Sequence, residues 1–137
     1  MSNAKVELFD VALKGCKYAG LLVPSSTSET TVVATRCEFA NSMHGAVVND
    51  SLTSATFKNC VFHDNEKDGI IGCKSATVHL YGEATAIYSN GRHGIWALAG
   101  KVVIHLLSHH NTSYNNKEED RHLRAGGTIT NVVVPVV

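Results

Sequence analysis

Apolar residues along the chain come in short clusters of three to five, separated by polar or flexible stretches. The clusters are rich in Val, Ile, Thr, Phe and Tyr, and Asn, Gly, Ser or Asp stands at their borders. No apolar stripe at the 3.6-residue helical spacing runs through them, whereas such clusters between turn residues are typical of short β-strands. The pattern therefore predicts an all-β chain.

A repeated phrase organises these clusters: an Asn, three polar or flexible residues, a Gly and an apolar run. Copies stand at residues 41–48, 65–71 and 90–96. Successive glycines lie 25, 24 and 25 residues apart, at Gly20, Gly45, Gly69 and Gly94. A period of this size is typical of solenoids, in which one unit buries its apolar face only against its neighbours. We expect three short strands in each turn, stacked at about 4.8 Å.

The repeat also predicts details of the packing. Extra residues around Tyr81, Gly82 and Glu83 indicate a bulge in the fourth unit, and residues 128–134 indicate a last strand. We expect an aromatic stack of Phe39, Phe62 and Tyr88. The expected core residues of the fourth unit are Val78, Leu80, Ala86, Tyr88, Ile95 and Trp96.

A column of asparagines is expected at one corner of the solenoid. Its predicted members are Asn41, Asn65, Asn90 and Asn111. Stacked Asn side chains bond one another along such an axis, so the column has a structural role. Asn and Gly at fixed offsets also predict backbone positions of positive φ that recur once in every turn.

Bulk properties exclude several classes of function. The formal net charge is zero, so no basic field indicates a nucleic-acid partner. No apolar run of 18 residues and no basic-then-apolar start occurs, which argues against a membrane span and a secretory signal and leaves the compartment unassigned. The length predicts a single domain over residues 5–137, with residues 1–4 interpreted as a tag remnant or a disordered N-terminus. Of the four cysteines, Cys37 and Cys60 occupy equivalent repeat positions and are expected to stack as small core residues.

The sequence resembles the right-handed parallel β-helix superfamily, the pectate-lyase-like fold. The likeness is greatest to its short modules grouped as carbohydrate-binding and sugar-hydrolase domains, and residues 37–47, 55–71 and 86–96 carry it. It implies a right-handed parallel β-helix of about five coils with three short parallel sheets, the first sheet following each repeat glycine. It also implies that the Asn column lies at a different corner from the Asn ladder of the lyases, whose turn Asn59 occupies here.

Enzymes of this superfamily act on the first sheet and its bordering loops. The positions before the glycines place His44, Asp68 and His93 in one column, with Lys67 and Arg92 beside them. A carboxylate next to an imidazole can orient it as a general base, and Lys67 or Arg92 can neutralise a uronate. The plainer interpretation is a solvated polar face. No metal site and no cofactor is predicted, because neither a second shell of ligands nor a carboxylate cluster is visible.

Three functions follow from this picture. The first is a non-catalytic recognition module that binds a glycan or a protein partner on the exposed first-sheet face, with Trp96, Tyr114 and Arg92 as ligand-binding residues. The second is a small polysaccharide lyase or hydrolase that uses the column of His44, Asp68 and His93. The third is a structural module that forms a homo-oligomer through uncapped terminal coils, because solenoids need capped ends to stay soluble.

Overall fold

The chain folds as a parallel β-solenoid of about five coils. A computed structural model describes residues 3–107 and 109–132, and the elements in those ranges are all β-strands. Sheet A contains β1 (Ala4–Phe9), β4 (Thr30–Thr35), β7 (Thr53–Lys58), β10 (Thr77–Tyr81), β13 (Lys101–His105) and β16 (Thr128–Asn131). Sheet B contains β2 (Ala12–Lys14), β5 (Glu38–Ala40), β8 (Val61–His63), β11 (Ala86–Tyr88) and β14 (Ser113–Tyr114). Sheet C contains β3 (Ala19–Val23), β6 (His44–Asn49), β9 (Ile70–Cys73), β12 (Ile95–Leu98) and β15 (Arg121–Arg124).

Each coil contributes one strand to each sheet, and every pair of neighbouring strands is parallel. The predicted fold class, with three short parallel sheets, is therefore confirmed, and sheet C is the first sheet of the prediction. Within the described ranges, no helix is long and apolar enough to cross a membrane. The predicted last strand begins as expected in β16, whereas residues 133 and 134 of that prediction lie outside the described residues.

Aromatic rings fill the interior between the sheets. Phe39 and Phe62 stack with ring centroids 4.7 Å apart, and Phe57 meets Phe62 edge-on at 4.9 Å. The prediction that Tyr88 continues this stack is wrong, because the strand register pairs Phe62 with Ile87. A shift of one residue reverses the face of a strand, so Ile87 points inward and Tyr88 outward.

The same reversal affects two other predicted core residues. Val78, Leu80 and Ile95 are buried as predicted. Ala86 and Trp96 are only partly buried, because Ile87 and Ala97 occupy the inward positions of their strands.

Positive-φ residues recur at all three corners, so the predicted recurrence in every turn is confirmed. Between sheets A and B, Asp10, Arg36 and Asn59 have φ of 54°, 51° and 53°. Between sheets B and C, the left-handed positions are Asn41, Asp64, Ser89 and Asn115, with φ of 55°, 52°, 54° and 53°. Between sheets C and A, Asp50, Lys74, Ala99 and Ala125 have φ of 89°, 52°, 57° and 54°.

Positive φ does not explain why glycine occupies the repeat positions, because Gly20, Gly45, Gly69 and Gly94 are not among the positive-φ residues. A Cβ atom added at Gly69 would lie 2.6 Å from the carbonyl oxygen of Gly94 and 2.6 Å from Cγ2 of Ile87. These positions are glycine because neighbouring coils approach too closely for a side chain.

Two further predictions are confirmed. Four residues, 82–85, separate β10 from β11 in the fourth coil, whereas two residues, 59 and 60, separate β7 from β8 in the third. Cys37 and Cys60 are buried free thiols, and the Cys37 amide lies 3.5 Å from Cys60 Sγ. Burial raises the pKa of the Cys60 thiol to about 11, so it behaves as a small apolar residue.

Candidate functional site

A ladder of buried amides occupies the corner between sheets B and C. Nδ2 of Asn65 donates to Oδ1 of Asn90 at 2.9 Å, and Nδ2 of Asn90 donates to Oδ1 of Asn116 at 2.8 Å. The same two Nδ2 groups donate to the carbonyl oxygens of Phe39 and Phe62. Both central side chains are therefore fully hydrogen-bonded, which is the structural role predicted for the column.

Two predicted members of this column are wrong. Asn41 is exposed at the preceding turn position, and Ser42 occupies the place in the ladder, where its amide donates to Oδ1 of Asn65. Asn111 is also exposed, and Asn116 occupies its place. We call Ser42, Asn65, Asn90 and Asn116 the Asn ladder.

The cause is the length of the turn between sheets B and C in the second coil. From Phe39 to Gly45 the chain advances six residues, whereas from Phe62 to Gly69 it advances seven. An Asn placed by its distance from the glycine therefore falls one position early in the second coil. Counting three residues from the inward side chains Phe39, Phe62, Ile87 and Ser113 gives the correct members.

The structure brings His44, Asp68 and His93 together, and we call them the His–Asp column. Nδ1 of His44 lies 3.2 Å from Oδ2 of Asp68, and Oδ1 of Asp68 accepts the His93 amide at 3.2 Å. The three residues are 7%, 0% and 4% exposed. The three side chains therefore lie in one column, as predicted, but they are buried and a substrate cannot reach them.

The His–Asp column is incompletely hydrogen-bonded. Among the described residues, Oδ2 of Asp68, Nδ1 of His93 and Nε1 of Trp96 are buried without a hydrogen-bond partner. The 3.2 Å approach of His44 to Asp68 is close enough for an ion pair but lacks hydrogen-bond alignment. Burial, reinforced by the nearby His122, lowers the pKa of His93. A buried polar atom without a partner costs about 1–3 kcal/mol, so this column is not optimised for stability.

Two of the predicted ligand-binding residues meet beside this column. The guanidinium carbon of Arg92 lies 4.7 Å from the ring centroid of Trp96, and Nε of Arg92 lies 3.5 Å from Oε2 of Glu118. Lys67 is exposed in the neighbouring coil, and it pairs with no carboxylate in the part of the chain that the structure describes. This cation–π pair is placed on the outer side of sheet C, where a ligand can reach it.

Tyr114 lies elsewhere. Its ring stacks on Tyr88 at 5.3 Å, and Tyr88 stacks on His63 at 5.1 Å, along the outer face of sheet B. The structure therefore does not bring Tyr114 to Trp96.

Several residues of the sheet C surface were not predicted. Tyr18 is 48% exposed, and its ring meets His44 edge-on at 5.3 Å. His122 pairs with Trp96 in the strand register and stacks on His93 at 4.1 Å. Nδ1 of His122 lies 3.1 Å from Oε1 of Glu119. The sequence signal for the last two is their spacing, since Glu119 and His122 follow His93 and Trp96 by 26 residues each.

A second titratable cluster lies on sheet B. Nε2 of His63 lies 2.6 Å from Oε2 of Glu38, and Nδ1 lies 2.6 Å from Oδ2 of Asp64. Burial alone would lower the pKa of His63, but the hydrogen bonds to Glu38 and Asp64 together raise it. The His63 contact, followed by the Lys14 ion pair, lowers the pKa of Glu38. This histidine favours the charged state, unlike His93.

An open hollow of about 550 Å³ lies on sheet A, away from all the predicted site residues. It is lined by Val33, Thr56, Lys58, Asn59, Tyr81 and Gly82. The ring of Tyr81 stacks on the ring of His105, with centroids 4.0 Å apart.

Comparison with known proteins supports the fold. Neither the curated proteins nor the solved structures gave a significant match. A family model described as the right handed beta helix region matches residues 1–134, and the parallel coils described above agree with that description. The chain therefore belongs to the right-handed β-helix family.

Proposed function

We propose that this protein is a non-catalytic recognition module, which binds a glycan or a protein partner on the outer face of sheet C. The observation that carries the proposal is the pair formed by Arg92 and Trp96 on that face. Trp and Arg are enriched among the residues that dominate binding energies, because they combine large apolar area with directional polar groups.

The surroundings of this pair support an extended contact area. In the strand register, the outward side chains of sheet C form one row from coil to coil. Its members are Leu22, Val47, Ile71, Trp96 and His122. Val47 and Ile71 are nearly covered by their neighbours, whereas Leu22 remains 47% exposed. Tyr18 adds an exposed aromatic ring in the first coil, about 14 Å from the coil of Trp96 at the usual strand spacing.

The burial of Asp68 supports a binding role over catalysis. A general base must come within hydrogen-bond reach of the proton that it removes. Asp68 has no exposed surface, and His44 and His93 are 7% and 4% exposed. A polysaccharide on the outer face would meet Arg92, Lys67 and Trp96 before it met these three side chains.

The decisive test is binding to a glycan array, followed by affinity measurements with matched aromatic variants. Trp96→Ala is expected to weaken binding at least about tenfold, which corresponds to about 1.4 kcal/mol. Tyr114→Ala is the control, because it removes a ring of similar size from the outer face of sheet B. Equal losses in both variants, or none in Trp96→Ala, would contradict the proposed face.

A protein partner is tested with the same two variants. If no glycan binds, proteins retained by the immobilised chain are compared between variants. A partner lost with Trp96→Ala and kept with Tyr114→Ala supports the proposal.

The enzyme alternative has a specific observation in its favour, the 3.2 Å approach of His44 to Asp68. Incubation with polyuronates distinguishes the two functions. Product release that disappears in Asp68→Asn would overturn the non-catalytic assignment.

The structural alternative is supported by exposed apolar residues in the first coil, where Val6 and Phe9 are 47% and 54% exposed. Sedimentation tests it, because a stable monomer at low concentration contradicts obligatory pairing of terminal coils.

A further inference from the structure

Three metal-binding side chains converge where the fourth and fifth coils meet beside sheet C. His93, Glu119 and His122 each offer one ligand atom, and these atoms all lie within 4.8 Å of one another. His93 precedes β12, Glu119 lies in the turn before β15, and His122 lies in β15 itself. The cluster therefore depends on the stacking of two coils rather than on a local sequence motif.

Some of the possible metal-ligand atoms of the cluster make few hydrogen bonds or ion pairs within the protein. In the described part of the chain, Nδ1 of His93 is buried without a hydrogen-bond partner. The side chain of Glu119 is exposed, and among residues 3–107 and 109–132 the one polar partner of its carboxylate is His122, at 3.1 Å. A bound cation would use ligand capacity that the protein leaves free.

The positions of the ligands are fixed by the backbone. The amide of His93 donates to Oδ1 of Asp68, and the amide of Gly94 donates to the carbonyl oxygen of Glu119 at 2.9 Å. His122 is held opposite Trp96 by the pairing of β12 with β15. The imidazoles of His93 and His122 are stacked, with centroids 4.1 Å apart and planes 10° from parallel, so both rings are near the site but their nitrogen lone pairs do not converge on one point.

We propose that His93, Glu119 and His122 form a binding site for a divalent transition-metal ion of the Zn²⁺ class. Two imidazoles and one carboxylate are ligands that Zn²⁺ accepts at about 2.0–2.2 Å, with a fourth position left for solvent. Ca²⁺ and Mg²⁺ are disfavoured because they select oxygen ligands.

Occupation of this site requires that side chains of the cluster rotate. Ligand atoms at these bond lengths around a tetrahedral ion are about 3.4 Å apart. The three ligand atoms of the cluster now lie within 4.8 Å of one another, so they must come closer. The His122 ring must also rotate out of its stack on His93, because a metal ion lies in the plane of the imidazole that binds it. The side chains of Glu119 and His122 are 57% and 23% exposed, which leaves room for both to move.

The proposal goes beyond the recognition function and does not depend on it. A cation held by residues of two coils links β15 to the fourth coil. Because the ligands come together only in the folded chain, binding stabilises the native state.

The experiment is a calorimetric titration of the chelator-treated full chain with ZnCl₂, using three variants. Glu119→Gln and His122→Gln are expected to weaken binding at least about tenfold, because each removes a direct ligand. Glu118→Gln is the matched control: its side chain is 55% exposed, like the 57% of Glu119, but it lies outside the cluster. Its affinity is expected to stay within about twofold of the unchanged chain, and a circular-dichroism spectrum checks the fold of each variant.

Cobalt provides an independent measurement. Co²⁺ is expected to give the visible absorption of a tetrahedral nitrogen and oxygen site, and the absorption is expected to disappear in His122→Gln. Zn²⁺ is expected to raise the thermal midpoint of the unchanged chain and of Glu118→Gln, but not of Glu119→Gln.

Three results would overturn the site. They are no binding at millimolar Zn²⁺, affinities unchanged in both ligand variants, and a thiolate-to-cobalt band, which would place the metal on a cysteine.

Discussion

Two polar columns run side by side through the same coils, and they differ in how completely their hydrogen bonds are made. In the Asn ladder, both amide groups of Asn65 and Asn90 are paired along the axis and with interior carbonyls. In the His–Asp column, only three residues further along the chain, Oδ2 of Asp68 and Nδ1 of His93 remain buried without a partner among the described residues. Both columns are sequestered from water, so exposure does not explain the contrast.

The difference indicates two purposes. Amides that pair completely stabilise the corner and fix the register of the coils. The unpaired atoms of the His–Asp column cost stability, so hydrogen bonding does not account for this column as it does for the Asn ladder. The outer side of sheet C, where we place binding, is next to the second column.

The largest difference in the free energy of unfolding is expected between Asn65→Asp in the Asn ladder and Asp68→Asn in the His–Asp column. Asn65→Asp removes the donors to Phe39 and Asn90 and sets a carboxylate oxygen against two acceptors. We expect a loss of about 3–5 kcal/mol in the free energy of unfolding. Asp68→Asn keeps the acceptor for the His93 amide and adds a donor towards His44, so its effect should stay within about 1 kcal/mol.

Urea unfolding followed by circular dichroism measures both changes. Similar losses in the two variants would mean that the two columns have the same structural role. A loss confined to Asn65→Asp would confirm the contrast.

Glycines next to the columns provide the second comparison. A Cβ at Gly69 would press on Gly94 and Ile87 and come within 3.0 Å of Nδ2 of Asn90, so Gly69→Ala disturbs the Asn ladder directly. We expect it to cost about 2–3 kcal/mol. Gly72→Ala is the control, because its Cβ would find its nearest side chains, Val78 and Val102, at 3.5 and 3.6 Å.

Gly72→Ala should therefore leave the free energy of unfolding within about 1 kcal/mol of the original value, and a small gain is expected. The urea midpoints of the two variants decide the matter. Equal destabilisation would show that strand flexibility, rather than close approach, explains the glycines.

The smallest effect on stability is expected from the pH dependence of His63, whose two ring nitrogens both have carboxylate partners. Because the pKa of His63 is raised above 6.5, its contribution to stability is complete below that pH and is lost as pH rises through the folded pKa. The lowered pKa of Glu38 contributes above pH 4.5 and is lost as pH falls through its folded value. The cluster is therefore most stabilising between about pH 4.5 and 6.5.

The measurement is the stability difference between the unchanged chain and His63→Gln at pH 5.5 and pH 8. We expect it to shrink by at most about 1 kcal/mol at the higher pH, because the carboxylates are largely solvated. His79→Gln should show the opposite sign, since burial and then His105 lower the pKa of His79. The same sign in both variants would contradict this account.

Most of the fold could be predicted from the repeat. Short β-branched clusters and glycines at a period of 24 or 25 residues were enough to predict three parallel sheets, the bulge near Gly82 and the stacked thiols. These features depend on local propensity and on periodicity, which are visible in the chain itself.

The wrong predictions concern positions where a shift of one residue in the strand register moves a side chain from the core to the solvent face. Tyr88 was matched to Phe62 because both are aromatic, but its distance from Asn90 places it with His63. The distance from Gly45 places Asn41 in the column, but the segment from Phe39 to Gly45 is one residue shorter than the segment from Phe62 to Gly69. In a strand of period two, such a shift exchanges the core for solvent.

The sequence by itself determined the β-solenoid, its three sheets and the column of His44, Asp68 and His93, because a fixed repeat brings equivalent residues of successive coils into line. Only the tertiary structure decided that Asp68 is sealed from solvent, that Arg92 lies over Trp96, and that Glu119 and His122 meet His93. The physical reason is that burial and side-chain contact depend on how neighbouring coils fit together, and variable turn lengths hide that fit from any count along the chain.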